Sequence, residues 1–179
     1  TQTVTGPIAA VGAGMLAAAN HTAKYSREVQ RASQATGAST KGFQELRYAM
    51  SQLGIESDEA KEMLIEVNRV MGEAADGDED MAKRLKAVGL SMQDIKTMNT
   101  DEAFSQIVKG LRNMDSQARK TAISGKLLGE DLSMKLLPAL NKNSQSITKL
   151  RKEAQELGLV MGEKGIKFGA KFAKAIKKL

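Results

Sequence analysis

Apolar side chains recur at helical spacing along almost the whole chain, and no stretch alternates for long enough to make a convincing strand pair. Phe43, Leu46, Met50 and Leu53 step by three and four until Gly54 interrupts them. Ala60, Met63, Leu64, Val67, Val70, Met71 and Ala74 form a heptad-like stripe. Ser57 is the expected cap of that helix, with Asp58 and Glu59 in a first turn whose dipole favours acids. Met81, Leu85 and Val88 end at Gly89, and Ser91 with Asp94 predicts a capping arrangement for a short helix from Met92 to about Met98. Asn99 to Glu102 opens a helix striped by Phe104, Ile107, Val108, Leu111 and Met114. Asp115 or Ser116 then caps a segment that runs through Ile123 to Leu128. Beyond Gly129 come Leu132, Leu136, Leu137 and Leu140, with Pro138 expected to bend or restart the helix. A charged helix from Ser144 to Leu157 ends at Gly158. Upstream, the small apolar run from Gly6 to Ala19 leads into a charged helix. That helix breaks at Thr36-Gly37-Ala38-Ser39-Thr40, where Ser39 or Thr40 is a natural N-cap. The pattern predicts an all-α chain of amphipathic helices joined by short Gly-containing turns. It falls into an Ala/Gly-rich segment (1–36), a helical core region (37–141) and a basic amphipathic segment (142–179).

Composition sharpens this. Aromatic residues are only 3% of 179 and prolines number two, so the chain is poor in both bulky rings and helix breakers. Long, loosely gathered helices around a thin core are expected, in either a compact or an extended, self-associating arrangement. There is no cysteine, and His21 is the single histidine, which removes thiolate chemistry and His-rich metal sites and makes any His-based triad depend on one position. No catalytic set, cofactor site or metal site is expected, and the chain does not read as an enzyme. Asp76-Gly77-Asp78 lacks the sixth-place glycine and closing glutamate of a calcium loop. Gly125-Lys126 fails as a phosphate loop because Lys120 and Leu127 stand where Gly and Ser/Thr are needed. Asn20-His21-Thr22 fits the glycosylation sequon by coincidence. Gly6 to Ala19 is too short to span a bilayer and has no basic residues before it, as a secretory signal would.

The net charge of +6 is unevenly spread. Residues 56–80 hold ten acidic and two basic side chains, whereas 142–179 hold ten basic and three acidic ones. At about 100° per residue, Lys164, Lys167, Lys171, Lys174, Lys177 and Lys178 fall in an arc of roughly 140°. Ile166, Phe168, Phe172, Ile176 and Leu179 lie on the opposite half. The apolar set is a candidate membrane or partner face, and the lysines a candidate face for an anionic surface. A core-facing helix with a wet lysine side is the alternative. Gly158/Gly162 and Gly165/Gly169 supply small-xxx-small pairs suited to close helix packing. No arginine cluster or aromatic platform accompanies the lysines, so no specific nucleic-acid site is expected.

From Gly42-Phe43-Gln44-Glu45-Leu46 through Ala49-Met50-Ser51-Gln52-Leu53-Gly54-Ile55-Glu56-Ser57, the sequence resembles the core region of bacteriophage tail tape measure proteins. The similarity continues in order through Leu85-Lys86-Ala87-Val88-Gly89-Leu90, Asp94-Ile95-Lys96 and Thr100-Asp101-Glu102-Ala103-Phe104. It reaches Gly125-Lys126-Leu127-Leu128-Gly129 and Leu136-Leu137-Pro138-Ala139-Leu140, and upstream it includes Ala35-Thr36-Gly37-Ala38-Ser39. It covers roughly residues 8–145. The order and spacing of the phrases, more than any one of them, make it specific. Ser124 departs from a position where the family often has Phe. Members are far longer than this chain, which opens at Thr1, so it is expected to be a piece of a longer product. The resemblance implies a structural virion protein, several copies lying in the phage tail and setting tube length during assembly. Its implied partners are further copies of itself, assembly chaperones, and the tail-tube and tail-tip or baseplate proteins. It also implies expulsion ahead of DNA and contact with the host envelope.

Overall fold

A computed structural model describes the backbone of residues 7–142 and 145–176, and the side chains of 20–141 and 145–172. Among the described residues the fold is all-α, without a strand. Ten helices follow one another: α1 (Pro7–Thr36), α2 (Thr40–Gln52), α3 (Ser57–Ala75), α4 (Glu79–Ala87), α5 (Met92–Thr97), α6 (Thr100–Arg112), α7 (Gln117–Leu128), α8 (Glu130–Lys142), α9 (Ile147–Glu156) and α10 (Glu163–Ile176).

The chain divides into two compact units, one made of 1–31 with 161–179 and the other of 32–160. The basic segment expected as one piece from 142 is therefore divided at Met161, with α9 belonging to the middle unit. In that unit α3 is the hub: it packs against α2, α4, α5, α6 and α7, while α9 lies along α2 and α7 pairs with α8. The stripe read from the sequence is what α3 buries, with Met63, Val67 and Val70 at 0% exposure. Leu46, Leu85, Phe104, Ile107, Leu111, Leu127 and Leu136 complete the unit's interior. The middle of the chain is thus a closed helical unit rather than the loose or extended coil left open by composition. Aliphatic side chains fill the space that rings would otherwise take.

The joints follow local rules. Ser39, Asp78, Ser91, Ser116 and Ser146 each accept a backbone N–H of the following first turn. Gly54, Gly89 and Gly158 adopt φ of +74°, +91° and +69° just past helix ends, a conformation that side chains with a Cβ rarely hold. Two expectations are corrected. The cap of α3 is Glu56 rather than Ser57, because Glu59 reaches back to the Glu56 N–H at 3.2 Å. Pro138 does not restart a helix: it lies inside α8, which continues to Lys142.

Candidate functional site

The densest polar cluster lies inside the middle unit, where the ends of several helices meet. Arg151, on the charged face of α9, turns inward. Its Nε donates to Glu45 Oε2 at 2.9 Å and its Nη2 to Asp101 Oδ2 at 2.7 Å. Nη1 reaches the Asp101 carbonyl at 3.0 Å and Ser105 Oγ at 2.8 Å. Both carboxylates have side chains only 3% exposed, and Arg151 is the buried countercharge they share, with the exposed Lys41 also 3.7 Å from Glu45. Gln155 Nε2 donates to the other Glu45 oxygen at 2.6 Å, and the Ser39 N–H donates to Asp101 Oδ1 at 2.9 Å. Nearby, the Thr100 N–H donates to the Gly37 carbonyl at 3.3 Å, and Tyr48 OH donates to Glu153 Oε1 at 2.8 Å. That bond to Glu153, helped by burial and by the carboxylate's charge, raises the Tyr48 phenol above its ordinary value. One guanidinium fork thereby fixes α9 to α2 and α6. Gly42 permits the approach: a Cβ there would collide with the Asp101 carboxylate. Sequence reasoning missed this cluster, since Arg151 sits in a run of charges and Asp101 looks like an ordinary first-turn acid.

The predicted C-terminal face lies on α10 and splits into three sectors. Ile166 is 1% exposed, and Gly169 and Ala170 are buried beside it. At Gly169, α10 meets α1 so closely that a Cβ would strike Ser26. Ile166 is therefore covered by the chain itself and takes no part in an exposed face. Phe168 points away from that seam at 72% exposure and stacks with half-buried Phe172, ring centroids 6.3 Å apart and planes 13° from parallel. Lys164, Lys167 and Lys171 are exposed, Lys167 pairing with Glu163 at 3.4 Å. The side chains of Lys174 and Ile176, together with Lys177, Lys178 and Leu179, lie outside the described residues. Of the two small-xxx-small pairs, only Gly169 makes a close helix approach. Gly158 ends a helix, nothing lies near Gly162, and Gly165 faces the Met161 side chain.

Several sequence features have structural duties. Asp78 accepts the Met81 N–H at 2.9 Å and starts α4, which uses one acid of the Asp76-Gly77-Asp78 loop. Gly125-Lys126 lies within α7, where Lys126 pairs with Glu130 at 3.8 Å. His21 is exposed on α1. Among the described residues no group of three or more His, Cys, Asp or Glu side chains could hold a metal ion. No described helix is long and apolar enough to cross a membrane. An open groove of about 580 Å³ runs along α4 into α5, lined by Ala82, Leu90, Met92 and the stems of Lys83 and Lys86. Another, of about 530 Å³, lies between α6 and α9 beside Lys109, Arg112, Ser146 and Thr148.

No protein-family model, curated protein or solved structure matches this chain.

Proposed function

We propose that this chain is a structural segment of a bacteriophage tail tape measure protein, acting through length and association. The reading rests on the sequence resemblance. One observation carries it further: several of the shared phrases fall on joints or close contacts of a single closed unit. Ala35–Ser39, Gly42–Leu46 and Thr100–Phe104 meet where Asp101 accepts the Ser39 N–H and Gly42 leaves room for its carboxylate. Leu85–Leu90 supplies the Gly89 turn and the Val88 backbone on which Gly110 rests. These phrases thus include parts that a helical unit cannot vary freely. In this reading the middle unit is a folded station on a longer helical ruler. It lies in the tail, touches further copies of itself and the tube and tip proteins, and is held by chaperones before assembly. Mass spectrometry of purified tails from a phage encoding the chain tests this directly. The protein is expected in tails in several copies per particle; tails that lack it would overturn the reading.

A second reading, action at the host envelope through the C-terminal helix, is favoured by the exposure of Phe168 beside three lysines.

A further inference from the structure

The three sectors of α10 are not equivalent, and their arrangement narrows what the helix can bind. At about 100° per residue, Ile166, Gly169 and Ala170 share one side, which is spent on packing within the chain. Lys164, Lys167 and Lys171 lie within about 60° of one another on another side, and Phe168 and Phe172 occupy the sector next to them. The free edge of the helix is therefore a stacked pair of rings flanked by a cationic row.

We propose that α10 binds the surface of an anionic lipid bilayer along this edge. Phe168 and Phe172 enter the headgroup layer, Lys164, Lys167 and Lys171 meet lipid phosphates, and Ile166, Gly169 and Ala170 keep their packing within the chain. The proposal rests on the second reading above and makes it specific: the helix lies on a membrane, with the surface defined by the phenylalanine edge. Three observations favour lipid. A ring 72% exposed leaves most of its apolar area in water, and the headgroup boundary removes that area from water without requiring a shaped pocket. Lysine stems carry their ammonium groups up to phosphates while the rings go deeper. A single-stranded nucleic acid would need free ring faces for its bases, and here Phe168 already stacks on Phe172, with no arginine in the helix.

The test is flotation of the full 179-residue chain with vesicles of phosphatidylglycerol and phosphatidylcholine, against vesicles of phosphatidylcholine alone. Binding is expected only with the anionic lipid and should weaken as salt rises. Lys164→Gln/Lys167→Gln/Lys171→Gln should lower partitioning on the order of a hundredfold, each lysine near a charged bilayer being worth about fivefold. Phe168→Ser/Phe172→Ser should lower it about tenfold. Circular dichroism confirms that each variant keeps its helices. Binding that survives both sets of changes would overturn the assigned edge while leaving a membrane role standing. Absence of flotation with either vesicle would overturn both. Retention on DNA that depends on the lysines and ignores the Phe168 change, without flotation, would replace lipid by nucleic acid.

Discussion

Arg151 shows how much one side chain can decide. A guanidinium held between two buried carboxylates adds little to stability over a well-packed apolar trio, but its removal takes the shared countercharge from both and leaves Glu45 only Gln155 and the exposed Lys41 at 3.7 Å. Arg151→Leu should cost about 3–5 kcal/mol of unfolding free energy, read from urea denaturation; a loss below about 1 kcal/mol would mean that the fork is not what fixes α9. Glycine substitutions give a second test at this scale, because their sign depends on place. Gly72 lies within α3 with nothing near its missing Cβ, so Gly72→Ala should stabilise by about 0.5–1 kcal/mol. Gly110 also lies in a helix, but there a Cβ would run into the Val88 backbone. Gly110→Ala should therefore destabilise by more than about 1 kcal/mol despite its higher helix propensity. Thermal unfolding of the two variants checks both signs.

At the scale of the element, helix starts carry the pH dependence. The Ser91 hydroxyl, at 2.6 Å, and the Ser91 N–H, at 2.7 Å, hold the Asp94 carboxyl below the usual carboxylate range. A bond from Lys135 and another from the Glu56 N–H do the same for Glu59, and Glu59 in turn raises Lys135. Both carboxyls bind protons less readily folded than unfolded. Their contribution is complete above the ordinary carboxylate range and is lost as pH falls through their lowered values. Denaturation measured across pH should show stability declining below about pH 4, and Asp94→Asn should make that decline shallower; an unchanged slope would contradict the assignment. Most element boundaries were legible in the sequence, because spacing, caps and glycines are local signals. The misplacements have local causes too: Ser57 is the commoner cap residue, but Glu59 reaches Glu56 instead. The restart that was one expectation at Pro138 is absent, since α8 runs through it to Lys142.

For the molecule as a whole, the all-α class followed from periodicity, whereas the closure of residues 32–160 did not. Closure depends on pairings between distant segments, such as Glu45 with Arg151 and Gly42 against Asp101, which carry no signal at the spacing of one helix. The one hint was an acid at Glu45 among the buried Gly42–Leu46 positions of α2. The C-terminal face was half legible. Lys164, Lys167, Lys171 and Phe168 are exposed, but Ile166 is buried on the side of α10 where Gly169 meets Ser26 of α1. A closed unit also changes what a length-setting role demands, since about 130 residues then contribute less reach than the same residues drawn out. The most direct test is to duplicate residues 32–160 in frame in the phage gene and measure tail length by electron microscopy. If the unit is a station on the ruler, the tails grow longer. The increment should lie between about 40 Å, the breadth of a compact unit of this size, and about 190 Å, the length of the same residues as one helix. Tails of unchanged length would contradict it.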